Sequence, residues 1–273
     1  MTFPLRGSVA VVTGAAQGIG RALARQLADE GVHLALADID SARLAESAAA
    51  ARRPDLKLST HVLDVGDAAA CAALPDAVLA EHGRVNLLVN NAGVALFGTF
   101  DELALGDFEW LFSINFWGAV RLTKAFLPAL QREPAGHIVN LSSVFGIIAP
   151  AGQTAYSASK FAVRGFSEAL RHELDGSAIT LSVVHPGGIA TSIAENARVS
   201  AAVDPAVVKQ SLAGFKTAAR TTSEAAAARI IAGIKAREKR ILIGGDARVI
   251  ALIQRLFPVN YWSYFAKRFA PRR

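Results

Sequence analysis

The chain has 273 residues, 52% of them hydrophobic and 19% charged, with a formal net charge of +6. That length suits one large α/β domain stable without metal or disulfide, and the composition excludes a disordered chain. One cysteine, Cys71, rules out an internal disulfide or cysteine-rich zinc site, and no HExxH-like histidine pair suggests a metal.

Taken in order, short β-branched runs fall near 8–13, 33–37, 58–63, 86–90, 137–142, 179–184 and 240–243. Between them lie helical patterns near 18–30, 41–51, 67–82, 103–132, 154–175 and 222–237, and the N-terminus reaches the strand-like run Val9–Thr13 almost at once. Nothing before Val9 reads as a signal peptide, and no apolar run is long enough to span a bilayer, so a cytoplasmic location is expected. Gly31 and Gly83 stand where helices end, and Thr221 with Glu224 predicts a capping box for the last helix. Cys71 falls within a helix and reads as a small packing residue. The alternation of strand and helix predicts a Rossmann-like, doubly wound parallel sheet of about seven strands with helices on both faces. Residues 1–245 form that single nucleotide-binding and catalytic domain in this reading, with a substrate lid near 190–215 and a basic, amphipathic extension over 246–273. The extension holds six Arg or Lys against one acid. The rest of the chain is therefore close to neutral, and nucleic acid is not expected as a partner.

The first strand runs directly into Thr13-Gly14-Ala15-Ala16-Gln17-Gly18-Ile19-Gly20 and then a helix. Glycines at such a turn let the backbone approach a pyrophosphate, and the helix N-terminus supplies free N–H groups and a positive dipole end. A tight strand-to-helix connection would also use a glycine or two. Asp38 closes the second strand eighteen residues beyond Gly20. An acid there can accept from the adenosine ribose and would repel a 2′-phosphate, although Asp38 or Asp40 could equally cap the next helix. With Gln17 in the turn and no Arg or Lys at 37, 39 or 40, NAD(H) is favoured over NADP(H).

These pieces join Asn90-Asn91-Ala92-Gly93, Ser143, Tyr156-Ser-Ala-Ser-Lys160 and Pro186-Gly187 in a fixed order. Together, from about residue 6 to about 245, they resemble the short-chain dehydrogenase/reductase family. The resemblance implies a catalytic set of Asn115, Ser143, Tyr156 and Lys160. Ser143 would bind the substrate oxygen, Lys160 the nicotinamide ribose, and Asn115 would support a proton path; adjacent Ser142 is the second choice for the serine. It further implies cofactor contacts from Gly14, Gln17, Gly18, Ile19, Gly20, Asp38, Asp64, Val65, Asn91, Ala92, Gly93, Pro186, Gly187, Ile189 and Thr191. Tyr156 and Lys160 are four apart on a predicted helix and so share a face. A phenol titrates near ~10, and a neighbouring ammonium with an oxidised nicotinamide would bring it toward working pH. His185 reads as a loop residue. The implied activity is NAD(H)-dependent interconversion of an alcohol and a carbonyl.

Val94, Ala95, Leu96 and Phe97, with Val144, Phe145, Ile147 and Ile148, suggest an apolar pocket for a bulky alcohol or ketone, although Ile147 and Ile148 could be ordinary core. The tail carries an apolar stripe, Val249, Leu252, Ile253 and Leu256, broken by Pro258. Tyr261, Trp262, Phe265 and Phe269 follow beside Lys267, Arg268, Arg272 and Arg273. Packing on the body or on a second subunit is the first expectation for this tail, and peripheral membrane contact the second. A homodimer or homotetramer is expected. The rival functions are an NADP(H)-dependent carbonyl reductase and a non-catalytic dinucleotide-sensing or membrane-interaction module.

Overall fold

The computed structural model of the protein describes residues 2–269, with side chains through Ala266. Arg272 and Arg273 of the basic tail lie outside the described residues, as do the side chains of Lys267, Arg268 and Phe269. Seven parallel strands form the central sheet: β1 (Val9–Thr13), β2 (His33–Asp38), β3 (Leu58–Val62), β4 (Leu87–Asn90), β5 (Gly136–Leu141), β6 (Ile179–Pro186) and β7 (Arg240–Ile243). Their order is β7-β6-β5-β4-β1-β2-β3. All residues of β1, β4 and β5 are buried, as central strands covered on both faces require. The outermost strand β3 is partly exposed throughout, and its residues Leu58, Ser59, Thr60, His61 and Val62 are correspondingly less uniformly apolar.

Helices α1 (Gly18–Asp29) and α2 (Ser41–Ala51) bury leucine and alanine faces in one core layer, shared with a later helix over Ser223–Lys235. On the opposite face, α3 (Ala68–His82) contributes Cys71, Leu74 and Val78 to a second layer around Val11, Leu88 and Ile138. Cys71 is fully buried there, and burial pushes its thiol up to about 11. Gly83 ends α3 in the left-handed region at φ 77°, and Gly31 follows α1 at φ 82°.

The single helical pattern near 103–132 is interrupted. It comprises α4 (Leu105–Phe112), a π-helical turn over Ser113–Trp117, and α5 (Gly118–Gln131). Then come α6 (Thr154–Glu173), α7 (Pro205–Ala218), α8 (Ser223–Lys235), α9 (Gly245–Leu256) and α10 (Tyr261–Phe269). The predicted cap of α8 is corrected by one residue. Thr222 accepts from Ala225 N at 3.1 Å, while Thr221 pairs with Ile189 in a two-residue bridge that removes it from the capping position. Likewise β6 continues to Pro186, so His185 is a buried strand residue.

Strand order reverses between β1 and β4, which opens a crevice at their carboxyl ends. The Gly-rich turn, Asn91–Gly93, Ser143 and the loop after Pro186 all follow strands at that edge. No helix among the described residues is long and apolar enough to cross a membrane.

Candidate active site

The Gly-rich turn is built so that side chains would obstruct it. A Cβ on Gly20 would lie 2.0 Å from the Gly14 carbonyl oxygen, and one on Gly14 would meet Ala92 Cα at 2.8 Å. Gly14 and Gly18 adopt φ of 63° and 54°, which glycine tolerates at little cost. Gln17 leaves the N-terminus of α1 without a side-chain cap, so the first-turn N–H groups face the crevice as an anion cradle. These features fit a dinucleotide pyrophosphate over Gly18, Ile19 and Gly20.

Asp38, at the end of β2, fixes this turn from the side. One carboxylate oxygen accepts from Ala16 N at 2.9 Å and the other from Asp40 N at 3.0 Å. The capping task falls to Asp40, which accepts from Arg43 N at 3.0 Å. Leu63 N donates to the Asp38 carbonyl, bringing Asp64 to the same rim. Asp64 is exposed, whereas Val65 is buried against Gly118 and can offer a ligand chiefly its backbone. Asn91 donates from Nδ2 to the carbonyls of Thr13 and Gly14 at 2.9 and 3.0 Å. It therefore braces the turn, while buried Asn90 bonds Asn140 and Thr123 beneath it. Ala92 N is held by the Thr13 hydroxyl at 3.1 Å.

Tyr156 and Lys160 lie on one face of α6, with Lys160 Nζ 5.7 Å from the centre of the Tyr156 ring. Lys160 is 5% exposed and donates to the Leu141 carbonyl at 3.1 Å. Gly93 leaves room between the two polar groups beside it: an added Cβ would meet Asn115 Oδ1 at 3.2 Å and Lys160 Nζ at 3.4 Å. Of the adjacent serines, Ser142 donates to the Lys160 carbonyl and is structural, whereas Ser143 acts on the phenol. His185 Nδ1 lies 2.9 Å from the Ser143 carbonyl, so it supports this serine from below.

Asn115 sits on the π-helical turn, buried, with both ends of its amide spent on the backbone of Val94 at 2.8 and 3.0 Å. The extra residue of the π turn re-aims the side chain at the Gly93–Val94 segment.

Burial pushes the Tyr156 phenol up to about 12, with the Ser143 hydroxyl pulling the other way. Burial also pushes the Lys160 ammonium down to about 8. The sequence-based expectation of a phenol nearer working pH concerns the protein with an oxidised nicotinamide bound beside Lys160.

Beyond β6, Gly187 N bonds Ile243 O, and Thr191 reaches the Gly-rich turn, its Cγ2 3.2 Å from a Cβ built on Gly18. Ile189 is buried and pairs with Thr221. Residues Leu96–Phe97 form a parallel bridge with Arg198–Val199, and Arg198 lies over the Trp110 ring at 3.7 Å. The expected pocket lining is narrowed. Ile147 and Ile148 are fully buried, and Ile148 packs with Val144, Ala247, Ile250 and Phe265. Phe145 instead meets the Tyr156 ring edge-on at 6.2 Å.

Three residues escaped the sequence reading. Arg43 and Ser192 both bond the Gln17 side-chain oxygen, at 3.2 and 2.8 Å. Asp246 accepts from Gly188 N at 2.8 Å. Arg43 had a signal, five residues past Asp38 on a predicted helix, but the other two depend on long-range folding.

A doubly wound sheet with a glycine cradle and a Ser–Tyr–Lys cluster at one edge defines a nicotinamide-dinucleotide oxidoreductase fold. The model of short chain dehydrogenases matches residues 8–201. The chain is 41% identical over 259 residues to a Mycobacterium tuberculosis protein named as the oxidoreductase SadH, covering 93% of this chain and 92% of that one. It is 32% identical over 272 residues to dehydrogenase/reductase SDR family member 7B of Xenopus laevis, covering 97% and 82%. Among solved structures, a short chain dehydrogenase/reductase from Burkholderia phymatum in complex with NAD superposes with a TM-score of 0.86 at 30% identity, covering 99% and 98%. An alcohol dehydrogenase from Thermococcus sibiricus complexed with 5-hydroxy-NADP gives 0.74 at 25% identity, covering 86% and 95%. The chain belongs to the short-chain dehydrogenase/reductase family of oxidoreductases.

Proposed function

We propose that the protein interconverts a secondary, apolar alcohol and its carbonyl with NAD(H), using Tyr156 as acid/base. The observation that carries this reading is the convergence of Ser143, Tyr156 and Lys160 beside the glycine cradle. When bound, the nicotinamide accepts or returns the hydride. The Ser143 hydroxyl holds the substrate oxygen next to the phenol. In oxidation the Tyr156 oxygen takes the hydroxyl proton, and in reduction the phenol returns it. In this reading Lys160 orients the ribose, and its charge, once satisfied there, draws the phenol down. Asn115 keeps the Gly93–Val94 wall in register and supports the proton path to Lys160. Pro186, Gly187, Ile189 and Thr191 flank the carboxamide, and residues 190–215 cover the substrate.

Preference for NAD(H) rests on Asp38, whose carboxylate stands where a 2′-phosphate would be repelled. Arg43 favours the alternative NADP(H) reading, being a cation on the same rim. Phe145 and Val94 give the substrate side its apolar character. Self-association belongs to the same reading, supported by the exposed Trp117 and Phe161 on neighbouring elements.

The test is NADH formation by wild type and Tyr156→Phe, with NAD⁺ or NADP⁺ and a panel of apolar secondary alcohols. Turnover with NAD⁺ that falls at least a thousandfold in the variant is expected from loss of the acid/base, as an order of magnitude. Equal turnover by the variant would remove Tyr156 from the mechanism.

A further inference from the structure

Helix α9 presents two apolar faces, and only one is covered. Ala247, Ile250 and Ile253 turn inward, where with Phe265 they pack on Val144 and Ile148 just after Ser143. Tyr261 Oη accepts from Ala149 N at 3.1 Å and ties α10 to the same segment. The other face carries Val249, Leu252 and Leu256, exposed by 54, 58 and 62%. Their spacing of three and four residues aligns them along one side of the helix. Phe257, Val259 and Tyr264 extend the exposed apolar surface through the turn and into α10. An apolar patch of this kind on a folded chain marks an interaction surface.

The charge around the patch identifies its partner. Arg248 and Arg255, seven residues apart, border the apolar row on the same exposed face. Neither forms an ion pair among the described residues, and exposed Arg240 of β7 adds positive charge near Arg255. The one acid of the segment, Asp246, is turned inward to Gly188. Four more basic residues follow after position 266 in the sequence. Aliphatic side chains flanked by arginines, with no carboxylate between them, match an anionic lipid surface: the apolar row enters the acyl boundary and the guanidinium groups meet phosphates. A second copy of the chain would bring the same arginines against one another.

The geometry points to α9 and the turn after it as a peripheral docking face for anionic membranes. The covered side of the same helix packs on the segment that follows Ser143. The inference does not rest on the reaction assigned above.

The full-length protein would be sedimented with phosphatidylcholine vesicles with and without phosphatidylglycerol, at low and high salt. Binding to the phosphatidylglycerol vesicles, weakened by salt and near background on phosphatidylcholine alone, is expected. The paired change Val249→Glu and Leu252→Glu should abolish it. Arg248→Gln with Arg255→Gln should weaken it roughly thirtyfold, from the contribution of each basic residue near an anionic surface. Thermal melting of each variant controls for folding; the arginine pair, wholly on the surface, carries the test if the glutamate pair misfolds. No binding to either vesicle, or binding indifferent to both pairs, would overturn the inference. So would a glutamate pair that splits an oligomer in sedimentation velocity while vesicles are ignored, since the face would then belong to a second copy.

Discussion

Asp246, in the first turn of α9, accepts a hydrogen bond at 2.8 Å from the backbone of Gly188, 58 positions earlier in the chain. The contact leaves no room for a side chain at Gly187, whose Cβ would fall 2.3 Å from the same carboxylate. The C-terminal extension thus reaches back to fix the loop that follows β6, where the nicotinamide contacts are proposed.

Removing that carboxylate should loosen the loop without touching the glycine cradle. Asp246→Ala is expected to weaken NADH binding about tenfold or more, the worth of one part-buried charge-assisted hydrogen bond. Asp246→Asn, which keeps an acceptor oxygen, should stay within about twofold of wild type on the same scale. Fluorescence titration with NADH measures both, and equal affinities for all three proteins would disconnect the extension from the loop.

Two glycines offer a contrast in steric room. Gly20→Ala places its Cβ 2.0 Å from the Gly14 carbonyl, so the turn must open, and nucleotide binding should be lost with a marked fall in Tm. Gly165→Ala, in α6 with nothing within 4 Å, should instead raise stability by roughly 0.5–1 kcal/mol through helix propensity. Thermal melts of the pair, with nucleotide titration for the first, decide the matter.

Nucleotide choice should move with Asp38. In Asp38→Ala the repulsion of a 2′-phosphate disappears while Arg43 remains on the rim. The ratio of kcat/KM for NAD⁺ over NADP⁺ is expected to drop by about tenfold or more, the order set by one nearby charge. Some loss with NAD⁺ also follows, because the bonds from Ala16 N and Asp40 N go with the carboxylate. A ratio that stays put would move the discriminating feature elsewhere.

Lys160 should leave a signature in alkaline stability. Its folded pKa is depressed from 10.5 to about 8 by burial. Below that value the folded chain carries a buried ammonium that unfolding returns to water. Between about 8 and 10.5 the unfolded chain alone tends to hold the proton, so stability climbs as pH rises through that window. Urea titrations should show wild type gaining about 3 kcal/mol relative to Lys160→Met across it, an order-of-magnitude figure from the shift. Parallel curves for the two proteins would mean that the ammonium is hydrated in the folded state.

Much of this site was legible in the sequence because its parts obey short-range rules. Continuous apolar runs marked the strands, and the spacing of Gly14, Gly18 and Gly20 marked the turn. The four-residue interval put Tyr156 and Lys160 on one face. The same logic failed where tertiary packing decides. Thr222 rather than Thr221 caps α8 because Thr221 is recruited to pair with Ile189. The π turn that aims Asn115 is one inserted residue, invisible to a 3.6-residue periodicity. For Ile147 and Ile148 the sequence left pocket lining and core both open; Ile148 is core because α9 and α10 fold back over it.

The segment from 190 to 218 has a distinct mechanical character. Helix α7 buries none of its residues, and its N-terminal approach is fastened to the body by the Leu96–Phe97 bridge and the Arg198–Trp110 contact. Two backbone bonds of that fastening, from Arg198 to Ala95 and from Ser200 to Phe97, can break while all seven strands keep theirs. Release of that fastening would therefore be local, costing far less than unfolding the core. The segment's backbone amides should trade hydrogen for deuterium together and early, ahead of those of the seven strands.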